Sequence, residues 1–187
     1  MRHAHAAAAL LLAAVAAAGG ARAQYIDPAR SAASFDAQLR WGQRLDGRFE
    51  RFSGRLEVLE GDLRVVEVRL ASDSVVFPGH PRYTEWAKGE GFLDPARHPE
   101  IVLRTRPFDR GLVLTGGEVP GVLTARGIER EVVFTLAPPD CARPGYDCAI
   151  RVEGVIERSA FGMTAWRGAL QDRMALGFSA WLMDSLD

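Results

Sequence analysis

Few residues in this chain have the types and spacing that catalysis needs. Beyond residue 23 there are two histidines, His80 and His98, each directly before a proline in loop-like sequence. Two loop histidines offer at most a weak metal site, and a Ser-His-Asp arrangement requires geometry that sequence separation does not show. No G-x-S-x-G, H-E-x-x-H, Gly-rich phosphate loop or cysteine nucleophile signature accompanies them. The expectation is a protein with no catalytic residues, no cofactor and no metal site. Cys141 and Cys148 bracket the turn-like "ARPGYD". The pair lacks a nearby histidine or third cysteine, so it reads as a disulfide pinning a hairpin loop. By the loop-entropy argument such a closure contributes roughly 2–3 kcal/mol.

Arg158 is the remaining residue of chemical interest. In "VIERSAFGM" (155–163) it follows Ile156 by two positions, so strand parity puts a guanidinium at the inner edge of an apolar element. A buried arginine has to be paired. Rim carboxylates or turn carbonyls would make it a structural clamp; an anionic ligand head held bidentately would make it a binding residue. The clamp is the favoured reading, with Phe161 and Gly162 anchoring the strand end.

The N-terminus reads as an export signal. Arg2 precedes the uncharged apolar run "AAAALLLAAVAAAGG", and "ARA" at 21–23 has the small residues of a cleavage site between Ala23 and Gln24. Residues 1–23 are thus expected to be a signal peptide, leaving a periplasmic or secreted domain of 24–187. No later apolar run is long enough to span a bilayer as a helix. Removing Arg2 and Arg22 lowers the basic residues from 23 to 21 against 24 acidic ones, and the charges are scattered. That pattern argues against nucleic acid and against a polybasic lipid-binding cluster.

The elements that would hold these residues are strands. "SFDAQLRW" sets Phe35, Ala37, Leu39 and Trp41 against Asp36, Gln38 and Arg40; "VEVRLAS" sets Val66, Val68 and Leu70 against Glu67 and Arg69. "AIRVEGVIER" and "MALGFSAWL" alternate in the same way, and "EIVLRTR" and "EVVFTLA" more loosely. About eight such runs, separated by Gly-containing turns and without amphipathic helices, predict an all-β antiparallel meander. "PRYTEWAKGEGFLD" (81–94) is the exception, a short helical insertion weakened by Gly89 and Gly91. Phe49 and Phe52 have opposite parity, so both face inward only if the chain is kinked near Arg51. Gly54, Gly121 and Gly154 read as bending points. Alternation alone does not separate a filled sandwich from a hollow barrel.

Five segments in order narrow the choice: "YIDPARSAASFDAQ" (25–38), "DGRFERFSGRLEV" (46–58), "GFLDPARHPEIVLRT" (91–105), "PGVLTARGIEREVVFTL" (120–136) and "RSAFGM" (158–163). Together they resemble the YceI-like family of secreted bacterial proteins, from about Tyr25 to Trp181. The resemblance implies an eight-stranded, antiparallel, lipocalin-like barrel around an elongated apolar cavity. It further implies an amphiphilic ligand, polyisoprenoids being the family's best-known cargo. On that basis Phe35, Leu39, Phe49, Phe52, Leu70, Phe92, Leu103, Leu123, Ile156, Phe161 and Phe178 are candidate lining residues, with Arg158 at the mouth. The alternative is a stress-response or interaction module with a filled barrel and no lipid cargo. Three segments depart from the family pattern: Gly111 to Val122 is long, the cysteine-bracketed loop is extra, and the helical segment is Gly-rich. The sequence leaves chain length, head group, delivery partner and oligomeric state open.

Overall fold

The computed structural model describes residues 23–183; the expected signal peptide, apart from Ala23, lies outside the described residues. In chain order the elements are β1 (Ala23–Tyr25), β2 (Ala32–Leu39), β3 (Arg44–Phe49), β4 (Phe52–Val58), β5 (Leu63–Ala71), β6 (Val75–Val76), α1 (Pro81–Ala87), β7 (Glu100–Thr105), β8 (Phe108–Asp109), α2 (Leu112–Thr115), β9 (Gly117–Ala125), β10 (Ile128–Leu136), β11 (Ile150–Glu157) and β12 (Leu170–Ala180). All the strands belong to one antiparallel sheet, in the order β1-β4-β5-β7-β9-β10-β11-β12-β2-β3-β6, with β8 on β5.

The sheet curls into a barrel through a single bent run. Only Glu50 and Arg51 separate β3 from β4, yet β3 pairs with β2 while β4 pairs with β5. The corner is held by Ser74, whose carbonyl accepts from the Glu50 N–H and whose hydroxyl accepts from the Arg51 N–H. This is the kink that the parities of Phe49 and Phe52 demand. Counted as one strand, the bent run makes eight long strands, and β1, β6 and β8 add pieces of two or three residues. At the opposite end Ile26 bridges Leu182, tying the first and last described segments together.

Alternation fixes the inner face. On β2, Ala33, Phe35, Ala37 and Leu39 are buried and join Leu45 and Phe49 of β3 in one large core. Trp41, expected on that face, departs from it: β2 ends at Leu39, and a turn at Gly42 with φ +94° carries the indole outward, 66% exposed. On the outer face, Glu67 of β5 is buried beneath arginines. Arg104 donates to it at 2.8 Å and Arg69 at 2.9 Å, with Arg55 3.5 Å away. Burial pushes its carboxyl pKa up, but the hydrogen bonds from Arg104 and Arg69 and the charge of Arg55 outweigh this, and the pKa lies below the ordinary value.

The helical insertion is shorter than the sequence pattern suggests. α1 starts on Pro81, which needs no amide partner at the first position, and stops at Ala87, before Gly89 opens a turn. The long segment after Gly111 holds the extra turn, α2, closed by Gly116 (φ +73°) and Gly117 (φ +139°). Cys141 and Cys148 are joined, with Cα atoms 6.0 Å apart, in the β10–β11 connection.

Candidate ligand cavity

Three chambers lie in line inside the barrel. The far one, about 90 Å³, is walled by residues such as Phe52, Leu56, Val66, Phe134 and Val152. The middle one, about 50 Å³, is walled by Phe35, Phe49, Leu70, Leu123 and Ile156 among others. The mouth chamber is the widest at about 220 Å³ and includes Leu39, Phe77, Tyr83 and Leu170. Leu103 and Phe178 line both the far and the middle chamber; Ala87 and Phe92 line both the middle and the mouth. These two pairs are therefore walls shared by neighbouring chambers. A quarter of the chain is charged, yet no charged side chain lines any of the three. Ser31, Thr105 and Ser179 bring hydroxyls to the far chamber; Thr105 Oγ1 accepts from the Val66 N–H, and Ser31 Oγ accepts from the Trp181 N–H. The cavity thus presents apolar surface with little polarity to redirect a ligand.

Large rings in the wall lie over glycines of the neighbouring strands. Phe35 pairs across strands with Gly47, and its ring occupies the space a Gly47 Cβ would fill. Phe134 pairs with Gly154 in the same way, its ring 2.7 Å from that Cβ position. Each ring lies along the wall over its glycine. Gly121 has another reason for lacking a side chain: the Arg104 carbonyl approaches to 2.9 Å of its Cβ position. Gly54 makes room for Ile26.

Ten residues singled out from the sequence stand in the chamber walls: Phe52, Leu103 and Phe178 reach the far chamber, Phe35, Phe49, Leu70, Leu123 and Ile156 the middle one, and Leu39 and Phe92 the mouth. Phe161 and Arg158 do not. Each is only 1% exposed, and neither lines a chamber. Both belong to the tight 3-10 turn Arg158–Phe161 that follows β11, which points them into the packed connection to β12. The Arg158 guanidinium donates to the carbonyls of Met163 and Ala165 at 2.7 Å each, Gln171 at 3.0 Å and Leu170 at 3.3 Å. Burial lowers its pKa, the Asp172 charge opposes that, and Arg167 and Arg40 reinforce it. Asp172 is engaged by Ser159, accepting from its N–H at 3.0 Å and its hydroxyl at 2.6 Å. The geometry is that of a clamp on the segment that carries Trp166 and Leu170 to the mouth.

With this geometry in place, relatives become informative. Residues 25–181 match the YceI-like domain. The chain belongs to the YceI-like family. Solved structures of similar shape include BcnA of Burkholderia cenocepacia, with a TM-score of 0.66 and 19% identity over 85% of this chain and 99% of that one. A polyisoprenoid binding domain from Saccharophagus degradans implicated in plant cell wall breakdown gives 0.63 and 13%, over 85% and 97%. The Campylobacter jejuni YCEI protein gives 0.56 and 15%, over 76% and 87%. At these identities the likeness establishes the fold. No curated protein sequence matches the chain.

The part of the site that the sequence did not single out is the aromatic rim of its mouth. Trp41, Trp86 and Trp166 all line it, with Trp86 and Trp166 stacked at 4.5 Å. Tyr83 and Trp86 fall three residues apart on α1, a spacing visible in the sequence. Nothing local announces Trp166, which sits in a turn with φ +62°. Of the loop histidines, His80 packs on Tyr83 at 5.4 Å. Among the described residues, the one grouping of three potential metal ligands is Asp140, Cys141 and Cys148, and its sulfurs are bonded to each other.

Proposed function

We propose that this protein is an exported carrier that shelters a polyisoprenoid or similar long-chain amphiphile in its barrel. The observation that carries the reading is the row of three chambers without a single charged side chain in their walls. Each methylene moved from water into such a space gains roughly 0.8 kcal/mol before ordering costs. A branched, flexible chain threads constrictions that a rigid ligand does not. Membership of the YceI-like family supports a binding role, and the structural neighbour described as a polyisoprenoid binding domain supports this class of ligand. Export rests on the N-terminal sequence: a charged start, an apolar run and a small-residue cleavage site.

The test is organic extraction and mass spectrometry of the protein, purified from its producing cells without detergent. A prenyl or other long-chain species near one per protein, absent from a control protein, is the expected result. An empty protein that also fails to take up added prenyl lipids would refute the carrier reading and favour a surface-acting module.

A further inference from the structure

We propose that the open end of the barrel docks on an anionic phospholipid bilayer. Its aromatic rim is too exposed to be core. Trp41 is 66% exposed, Trp166 48% and Trp86 40%, and all three line the mouth chamber. Tryptophan favours the boundary between hydrocarbon and water, where its ring is buried and its N–H stays wet.

Charge selects the occupant. Each rim tryptophan has an exposed arginine beside it: Arg40 precedes Trp41, Arg167 follows Trp166, and Arg82 sits one helical turn before Trp86 on α1. Among the described residues none of these three has a carboxylate within 4 Å, whereas arginines on the far wall such as Arg55, Arg69 and Arg104 are all ion-paired. Arg40 spends one N–H on the Arg167 carbonyl at 3.0 Å, which fixes the two guanidinium-bearing turns side by side. The acids nearby are engaged: Glu85 lies 4.0 Å from Lys88, and Asp172 accepts from Ser159. The rim therefore combines membrane-interface rings with exposed cations in no close ion pair, Arg167 sensing only the more distant charge of Asp172, around the entrance to an apolar cavity. Such a face matches the negative head groups of a bilayer. That docking serves cargo transfer rests on the carrier reading; the docking itself rests on the rim.

Flotation with vesicles of phosphatidylcholine, with and without phosphatidylglycerol, tests it. The protein is expected to float with the phosphatidylglycerol vesicles, with tryptophan emission quenched by brominated acyl chains, and to be released in about 1 M salt, where the screening length is roughly 3 Å. Arg40→Gln, Arg82→Gln and Arg167→Gln should each weaken binding roughly fivefold. Trp41→Ala should remove much of the quenching. Unchanged thermal unfolding checks that the variants fold, and the salt and lipid dependence of the unsubstituted protein decides the matter without them. No flotation, or flotation equal on both vesicles and indifferent to salt, would overturn the proposal. Extraction of the same preparation separates the two ideas: cargo without flotation removes the docking face alone, and flotation by a protein that is empty and takes up no added prenyl lipid removes the carrier reading alone.

Discussion

Replacing Arg158 by methionine isolates the clamp. Methionine keeps an unbranched stem of similar reach and removes the guanidinium, so the four carbonyls of Met163, Ala165, Leu170 and Gln171 lose their donor. Each bond from a charged donor is worth roughly 1.5–3 kcal/mol, but the four share one group and are not additive. Two of them join buried partners, and the site is closed to water that might substitute. Desolvating the cation offsets part of the sum, so the expected loss is about 3–5 kcal/mol, the range for breaking a buried charged network. For a domain of this size that lowers Tm by roughly 6–20 °C. Urea unfolding followed by circular dichroism measures it. Arg158→Lys should recover only part of the loss, because an ammonium cannot fork to four acceptors. If Arg158 instead gripped a ligand head group, both variants would lose cargo while stability stayed within about 0.5 kcal/mol, the usual range for a surface change. That pattern would refute the clamp.

Three further outcomes follow from the geometry. Leu103→Trp adds bulk to the wall shared by the far and middle chambers and, on the carrier reading, should shorten the extracted chain, as read by mass spectrometry. Gly154→Val drives a side chain into the Phe134 ring and should cost about 1–3 kcal/mol in urea unfolding. Glu67 has a folded pKa below its unfolded one, so its contribution to stability is present above the unfolded pKa and is lost as pH falls through the folded pKa. Glu67→Gln should therefore destabilise the protein at neutral pH and flatten its acid unfolding between those two pKa values, an effect visible in Tm measured against pH.

The long strands were legible because their signal is local. Phe35, Ala37 and Leu39 face inward as the period of two requires, whereas the opposed parities of Phe49 and Phe52 left the corner between them as a condition that only the structure met. The short strands β1, β6 and β8 were not, since two or three residues carry no period. Trp41 shows where alternation stops being evidence: it extends the pattern by one step beyond the last ladder pair, and a left-handed glycine decides its direction. Arg158 was recognisable as anomalous from parity, but its partners are carbonyls, which every residue has, so the sequence could not choose between clamp and head-group contact. The rim tryptophans come from three distant segments, and only the closed barrel brings them together.

The wall also bears on whether the barrel is hollow by design. A filled barrel gains most when large side chains meet at the axis, and a glycine opposite a phenylalanine wastes volume there. Here the glycines stand under the rings: Gly47 takes Phe35 and Gly154 takes Phe134, so bulk is drawn to the wall. The same arrangement keeps the wall aromatic beside the chambers. Aromatic contacts hold part of that wall in place, with Phe35 meeting Phe49 at 5.5 Å and Phe77 at 5.3 Å. Leu103 with Phe178, and Ala87 with Phe92, stand where neighbouring chambers meet. On the carrier reading proposed above, a chain-like ligand suits such a series of small chambers because each segment needs only its own width.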